Sequence, residues 1–169
     1  RRPAEARAIA KEVRRLIDHD PKLTFGVIAF YTAQVDEIGR AMIDEGLTEV
    51  AGNTRGWRVA ERWAVTLNAK GKPVERLRVG TVDAFQGKEF DVVFLSVTRS
   101  NELPGETDEQ RRRKFGHLML ENRLCVAMSR QERLLVAVGD LAFVQKAEPL
   151  RALRAYTELC GGPDGVIIR

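Results

Sequence analysis

The amino-acid sequence predicts an α/β fold in which a mostly parallel sheet is covered by helices on both faces. Two observations predict this class: short apolar runs rich in β-branched residues, and amphipathic segments that lie between them. Strands that are apolar on both sides are typical of parallel sheets with helices on each face. The predicted strands lie at about 25–30, 78–82, 92–97 and 133–138.

The segments between these strands are predicted from helical periodicity and from turn residues. Residues 4–17 place Ile9 and Val13 on one helical stripe, with Arg and Lys on the other face. The interval 47–75 matches no motif that we can name. The other predicted elements are helices at about 32–45, 59–67, 117–129 and 149–159, and a polar loop at about 99–116.

Composition limits the classes of protein to which the chain can belong. Of its 169 residues, 44% are hydrophobic, which is enough for one domain with a sizeable core and too many for a disordered chain. Lys and Arg number 28 against 24 Asp and Glu, and the net charge of +4 is compatible with an anionic partner. Two cysteines are too few for a disulfide framework, and no apolar run approaches the roughly 18 residues of a membrane span.

We therefore expect residues 1–169 to form a single domain, with about 160–169 as a C-terminal tail or the exit to a next segment. The start Arg1-Arg2-Pro3 lacks Met and an apolar signal core, which indicates a piece of a longer chain. A cytoplasmic protein with reduced cysteines and no membrane partner fits these features.

Polar residues are concentrated after the predicted strands, where open parallel sheets bind their ligands. The segment 83–91 carries Gln86 and Glu89 around Gly87, although a solvated loop explains the same composition equally well. Arg130 ends a predicted helix, where it can complement the helix dipole or hold a phosphate with its planar fork. The residues expected to cluster near the carboxyl ends of the strands are Gln86, Glu89, Arg123 and Arg130.

The chain has no P-loop, which requires G-x-x-x-x-G-K-[ST]. Its two Gly-Lys pairs, Gly71-Lys72 and Gly87-Lys88, are followed by Pro and by Glu. The pair Asp108-Glu109 looks like a magnesium-binding box, but it does not follow an apolar strand. We therefore expect no metal site within this chain.

Four segments resemble the motifs of superfamily 1 helicases, in the branch that contains the nonsense-mediated-decay helicase. Gly80–Val93, with Thr-Val-Asp-Ala-Phe-Gln-Gly-Lys-Glu at its centre, resembles motif V. Asn122–Arg130 resembles motif VI, Gly26–Gln34 resembles motif IV, and Leu95–Asn101 matches the stretch after motif V. The motifs occur in the family's order over roughly residues 5–145, and this order makes the resemblance specific.

The resemblance implies a RecA-like domain, the second motor domain of an ATP-dependent DNA or RNA helicase. In that family ATP with Mg²⁺ lies between two RecA-like domains, and the upstream domain of the same polypeptide holds the P-loop and the magnesium ligands. The expected partners are therefore that upstream domain and single-stranded nucleic acid, and the isolated chain is expected to be inactive.

The resemblance also implies roles for single residues. Arg130 would be the arginine finger at the γ-phosphate, Arg123 would support it, and Glu89 would meet the nucleotide sugar. Gln86 and Gly87 would shape the loop that couples nucleotide to nucleic acid.

Further candidates lie at the ends of predicted strands. The resemblance makes Thr81, Ser96 and Arg99 candidates for contacts to the nucleic-acid strand, mostly at phosphates. Tyr31 follows the first strand and is a candidate neighbour of the nucleotide base.

Other interpretations remain open at this point. Val35 stands where family members often carry Arg, and Gln131 follows Arg130 where Ala is usual. A catalytically degenerate RecA-like module that binds nucleic acid or a partner protein is the main alternative. A stand-alone Rossmann enzyme is disfavoured because its Gly-rich turn is missing. For Trp57 and Trp63, packing is favoured over base stacking.

Overall fold

The computed structural model describes residues 1–52, 56–68, 70–163 and 165–167. The chain divides into two compact units. The first consists of Arg1–Thr98 and Val126–Val138, and the second of Arg99–Cys125 and Gly139–Arg169. Most of the candidate site residues lie in the first unit, whereas Arg99 and Arg123 lie in the second.

The described residues form eight strands, seven α-helices and two short 3₁₀ turns. The strands are β1 Phe25–Ala29, β2 Thr48–Val50, β3 Trp57–Val59, β4 Val65–Leu67, β5 Pro73–Glu75, β6 Leu77–Thr81, β7 Phe90–Ser96 and β8 Gln131–Val138. The helices are α1 Pro3–His19, α2 Thr32–Asp44, α3 Glu61–Ala64, α4 Asp108–Phe115, α5 Glu121–Ala127, α6 Leu141–Gln145 and α7 Arg151–Cys160. The 3₁₀ turns are Val82–Phe85 and Gly116–Met119.

The central sheet has the strand order β6-β1-β7-β8, and every neighbouring pair is parallel. These are the four predicted strands, with bounds that differ by at most two residues. The prediction of an α/β fold with a mostly parallel sheet is therefore confirmed. Because the strands are parallel, all four begin at one edge of the sheet, the amino edge, and end at the other, the carboxyl edge.

The core lies between this sheet and the first two helices. On α1, Ile9, Val13 and Ile17 are buried along one stripe and pack with Val27 and Phe94 of the sheet. Fully burying such a side chain contributes about 1.5–3 kcal/mol, so this stripe accounts for much of the first unit's stability. The opposite face of the sheet is buried as well, since Ile28, Val93 and Leu95 have no exposed surface.

The interval 47–75 differs from the prediction of a helix at 59–67. It forms two antiparallel hairpins, β2–β3 and β4–β5, and the only helix among its described residues is the four-residue α3. β-branched Val59, Val65 and Thr66 favour extended backbone over the helix that the spacing suggests. The turn of the second hairpin is closed by Asn68, whose side chain accepts the main-chain N–H of Lys70 and of Lys72.

The predicted polar loop at 99–116 also contains a helix, α4. Its N-terminus has a capping box, in which Thr107 accepts from Gln110 N and the Gln110 side chain accepts from the Thr107 N–H. Phe115 is the only buried residue of this helix, so apolar periodicity could not reveal it. Two of its four basic residues, Arg111 to Lys114, form ion pairs with acidic residues of its first turn. Arg111 pairs with Asp108, and Arg113 pairs with Glu109.

The predicted helix at 117–129 is interrupted. The 3₁₀ turn Gly116–Met119 and the helix α5 are separated by Leu120, whose φ and ψ are not helical. Both cysteines are unpaired thiols. Among the described residues, no helix has the length and hydropathy that crossing a membrane would require.

Candidate functional site

The motif V segment connects the two edges of the sheet. It leaves β6 after Thr81 at the carboxyl edge and enters β7 at Phe90, at the amino edge. The residues between them, 82–89, therefore have to run back along the whole length of a strand. Arg78, near the start of β6, donates to the carbonyl of Ala84 at 3.2 Å, which shows the loop folding back over its own strand.

The inner side of this loop is held by aromatic packing. Phe85 is fully buried, and its ring lies edge-on to that of Phe90 with centroids 5.5 Å apart. The ring fits only because residue 26 is Gly, where a Cβ atom would come within 2.8 Å of Phe85. Gly87 has a φ of +71°, a conformation that L side chains rarely adopt. Glycine at position 87 therefore lets the chain turn at this point.

Glu89 and Arg130 lie at the same edge, and it is the amino edge. The N–H of Phe90, directly after Glu89, donates to the carbonyl of Arg130 at 2.9 Å. Gln131, directly after Arg130, pairs with Phe90 at the start of β7 and β8. The expectation that these two residues lie near the carboxyl ends of the strands is wrong. Both precede strands, and residues that precede parallel strands gather at the amino edge.

The side chains at the amino edge reach solvent. Gln86 and Glu89 are exposed, and Arg130 is half-buried. The Arg130 guanidinium donates through Nε to the carbonyl of Val126 at 3.1 Å and through Nη2 to Ser129 Oγ at 3.0 Å. Val126 lies in the last turn of α5 and Ser129 two residues beyond its end, so the arginine satisfies a helix carbonyl as a basic residue near a helix C-terminus commonly does. These bonds leave the guanidinium half-buried near the C-terminal end of α5.

The carboxyl edge contains a buried polar network instead. Ser96 at the end of β7 has no exposed surface, and its Oγ donates to Glu5 Oε2 at 2.8 Å. The amide of Gln34 donates to Ser96 Oγ at 3.2 Å and to the carbonyl of Arg2 at 3.2 Å. The N–H of Thr98 completes the network by donating to Glu5 Oε2 at 2.9 Å.

Glu5 and Thr98 are both in unfavourable states that the network stabilises. Burial raises the pKa of Glu5, against the hydrogen bonds from Ser96 and Thr98 and the nearby charge of Arg2, which lower it. Thr98 has a φ of +65°, and it is the one non-glycine residue with positive φ among the described residues. A β-branched residue in this region is strained, and its N–H bond to Glu5 holds it there.

The remaining candidates are distributed as follows. Thr81 is half-buried at the end of β6, and Tyr31 is half-buried at the N-terminus of α2, both at the carboxyl edge. In the second unit, Arg99 donates to the carbonyl of Arg113 at 3.2 Å, and Arg123 lies in α5 with its N–H bonded to Asn122 Oδ1. Ser96 is buried and its hydroxyl is used inside the protein, so we retain only Thr81 and Arg99 as candidate strand contacts.

One feature of the carboxyl edge was missed at the sequence level. Glu5 lies in no motif, although an acidic residue on the apolar stripe of a helix is a usable signal.

Both tryptophans pack inside the first unit, as the sequence analysis favoured over base stacking. Trp57 covers Gly39 of α2, and Trp63 Nε1 donates to the carbonyl of Gly46 at 2.9 Å. Arg76 is buried against the Trp63 ring at 4.8 Å, and this burial lowers the pKa of its guanidinium.

Comparison with known proteins places the chain in a family. A family model described as an AAA domain matches residues 1–142. The chain belongs to this AAA-domain family. It is 32% identical over 141 residues to DNA polymerase alpha-associated DNA helicase A of Saccharomyces cerevisiae, covering 83% of this chain and 15% of that protein. It is 28% identical over 159 residues to the putative helicase mov-10-B.2 of Danio rerio, covering 94% of this chain and 13% of that protein.

These relatives confirm the resemblance to superfamily 1 helicases. The AAA domain is a helicase-family domain, and the chain spans less than a sixth of the length of the two relatives. A structure of the C-terminal domain of a possible DNA helicase from Lactobacillus plantarum is similar at a TM-score of 0.39 and 18% identity, over 80% of this chain and 68% of that one. The fold assignment follows from the strand order and not from this similarity.

Proposed function

We propose that the AAA domain is the second motor domain of an ATP-dependent helicase or translocase that acts on single-stranded nucleic acid. The observation that carries the proposal is the loop 82–89, which joins Thr81 at the carboxyl edge to Glu89 and Arg130 at the amino edge. A segment that touches both edges can transmit a change from a bound nucleotide to a bound strand. On this proposal ATP binds at the amino edge and nucleic acid at the carboxyl edge.

At the amino edge, the proposed roles follow from chemistry and exposure. The exposed carboxylate of Glu89 can accept hydrogen bonds from ribose hydroxyls. Arg130 is half-exposed, and its planar guanidinium suits the γ-phosphoryl oxygens, on which charge spreads in the transition state. Arg130 is thus proposed as the arginine finger, and Gln86 and Gly87 as the turn of the loop that couples nucleotide to nucleic acid. For Arg123, support of the finger stays a prediction.

This chain supplies only part of such a site. Its described residues contain no group of three or more carboxylate, His or Cys side chains that could hold a metal ion. The sequence also has no P-loop lysine. We propose that an upstream RecA-like domain of the same polypeptide provides the P-loop and the ligands of Mg²⁺, and that ATP is hydrolysed between the two domains.

At the carboxyl edge, Tyr31 lies with Thr81, about a strand length from Glu89, or roughly 16 Å for five residues. A side chain at that distance does not meet the base of a nucleotide whose sugar is held by Glu89. We therefore move Tyr31 from the nucleotide to the nucleic-acid surface, where its ring can stack on a base. Thr81 and Arg99 are the proposed phosphate contacts.

The decisive experiment is steady-state ATP hydrolysis by a protein that joins this chain to its upstream domain. Arg130→Ala should lower kcat by about 10³ or more, because the finger acts on charge that develops in the transition state. Arg130→Lys should restore little of that loss, because an ammonium lacks the fork. Arg133→Ala is the matched control, since Arg133 is an exposed arginine three residues on that pairs with Asp91 at 2.9 Å.

The isolated chain gives a second test of the same proposal. It should not hydrolyse ATP, and it should bind single strands weakly with an affinity that falls steeply as salt is added.

One outcome in the two-domain protein would contradict the role of Arg130. If Arg130→Ala leaves kcat within a few-fold of the parent, as Arg133→Ala is expected to do, the arginine-finger role is wrong. If the joined protein itself hydrolyses no ATP, a module that binds strands without supporting hydrolysis is the better description.

A further inference from the structure

The hairpin β4–β5, which belongs to no helicase motif, is bonded to the motif V loop. Glu75, the last residue of β5, accepts a hydrogen bond from Arg78 Nε at 2.8 Å and one from Lys88 Nζ at 2.8 Å. Lys88 lies between Gly87 and Glu89, and Arg78 donates in turn to the carbonyl of Ala84 at 3.2 Å. One carboxylate of the hairpin is therefore linked to both halves of the loop.

The electrostatics of Glu75 show that it is held as an anion. Partial burial opposes its charge, but the hydrogen bonds and charges of Arg78 and Lys88 outweigh this and lower the pKa of Glu75 below its ordinary value. The Glu75 and Lys88 side chains are 34% and 42% exposed, so water screens the pair. Its contribution to global stability is accordingly small, and its effect is on the local position of the loop.

The hairpin is a fixed support because it is attached to the body of the first unit. Thr66 of β4 donates through Oγ1 to the carbonyl of Pro21 at 3.3 Å. At the base of the hairpin, Arg76 N donates to the carbonyl of Ala64 at 2.9 Å. The buried Arg76 guanidinium also donates to the carbonyl of Ile17 at 2.9 Å.

We propose that Glu75 is a positioning residue for the segment Gln86–Glu89 and that the β4–β5 hairpin serves to hold it. With Lys88 bound to Glu75, the turn at Gly87 keeps Glu89 in place at the amino edge. Without that bond, the loop is held on its inner side by Phe85 but moves on its outer side. The inference rests on the proposed function, since it assigns the hairpin to the nucleotide site.

The first test measures the loop directly in the 169-residue chain. Glu75→Gln keeps the shape of the side chain and removes its charge. Amide hydrogen exchange of residues 86–89 should become about threefold faster, the size expected for losing an exposed ion-pair network. Glu49→Gln is the matched control, because Glu49 pairs with Arg58 at 2.7 Å across the other hairpin, β2–β3, and does not contact the loop.

A double-mutant cycle separates positioning from a general loosening. Lys88→Met should raise exchange of the loop by a similar factor, and Glu75→Gln combined with Lys88→Met should be no faster than either alone. The melting temperature should fall by no more than about 2 °C in any of these variants, as expected for losing a partly exposed ion pair. Additive effects, or a loop that exchanges at the parent rate in Glu75→Gln, would overturn the proposal.

The second test is ATP hydrolysis by the two-domain protein. Glu75→Gln should lower kcat/KM for ATP about threefold, the factor by which the loop is expected to loosen, with strand affinity unchanged. If exchange rises but kcat/KM does not change, while Arg130→Ala abolishes hydrolysis, then the positioning role is wrong and the proposed function stands. If Arg130→Ala has no effect on hydrolysis, the proposed function fails, whatever the exchange result.

Discussion

The two edges of one sheet use their polar side chains in opposite ways. At the carboxyl edge, Glu5, Gln34 and Ser96 are buried and bind one another. At the amino edge, Gln86 and Glu89 are exposed. A polar residue near the end of a strand is therefore not by itself a ligand contact, since burial decides whether its hydrogen-bonding capacity is still available.

The difference extends to how each edge holds its backbone. Thr98 stays at positive φ because a buried carboxylate accepts its N–H. Gly87 adopts a similar φ at the amino edge with nothing within 4 Å of where a Cβ would be. The turn at Thr98 is strained and is held by a buried carboxylate, whereas the turn at Gly87 is unstrained and is held by a partly exposed ion-pair network. We expect the first to be rigid and the second to respond to a ligand.

The largest effect should come from breaking the buried network. Glu5→Ala leaves the buried Ser96 hydroxyl and the half-buried Thr98 N–H without their acceptor, which we expect to lower the free energy of unfolding by about 2 kcal/mol. Urea unfolding of the chain measures this. Glu12→Ala on the same helix is the control, because its pair with Arg15 is exposed and should cost well under about 1 kcal/mol. Equal losses in the two variants would contradict a structural role for the network.

The parallel sheet could be predicted from the sequence because its strands are apolar on both faces. All four residues from Val92 to Leu95 are buried, so the segment is apolar at every position and not only at alternate ones. The hairpins at 48–75 could not be predicted, because their strands have three residues each and almost all of these residues are half-buried or exposed. Strands this short show too few alternations for the pattern to be recognised.

The identity of the candidate site residues could be predicted, but their position could not. The motif resemblance selected Glu89 and Arg130, and the structure brings the two chain segments together through the bond from Phe90 to Arg130. The rule that ligands bind after strands placed this pair at the wrong edge. A residue in a loop between two parallel strands can lie at either edge of the sheet, depending on how far along the returning loop it sits. The sequence between Thr81 and Phe90 does not reveal where the loop crosses from one edge to the other.

A smaller effect is expected at the glycine of the amino edge. Gly87→Ala places a side chain at φ +71° and should lower the free energy of unfolding by about 1 kcal/mol. Gly71→Ala in the β4–β5 turn is a matched control, with the same φ and the same open surroundings. The two should lose similar stability in urea unfolding, while only Gly87→Ala should change ATP hydrolysis in the two-domain protein. A similar loss of hydrolysis in Gly71→Ala would assign the effect to stability alone.

The two edges should also respond to pH with opposite signs. The pKa of Glu5 is raised in the folded chain, so its contribution to stability is present below the ordinary value of 4.5 and is lost as pH rises through the folded pKa. The pKa of Glu75 is lowered, so its contribution is present above 4.5 and is lost as pH falls through the folded pKa.

Unfolding free energies measured against pH in the parent, Glu5→Gln and Glu75→Gln test this contrast. Relative to the parent, Glu5→Gln should gain stability as pH rises from 4.5, because the parent alone loses a contribution there. Glu75→Gln should lose stability relative to the parent as pH rises towards 4.5 from below, by a small amount because its carboxylate is partly exposed, and the difference should stay constant above 4.5. Parallel curves for the two variants would show that the edges do not differ in this way.

The smallest effect tests the strain at Thr98 itself. Thr98→Gly removes the steric cost of φ +65° but increases the entropy of the unfolded chain, and the balance should be a gain of about 0.5 kcal/mol. If Glu5 holds this conformation, Glu5→Gln should cost less in the Thr98→Gly background than in the parent, because glycine adopts positive φ without help. Urea unfolding of the four proteins gives the coupling energy. A coupling of zero would mean that Glu5 binds Thr98 without constraining its backbone, and the rigidity of the carboxyl edge would then have to come from Gln34 and Ser96 alone.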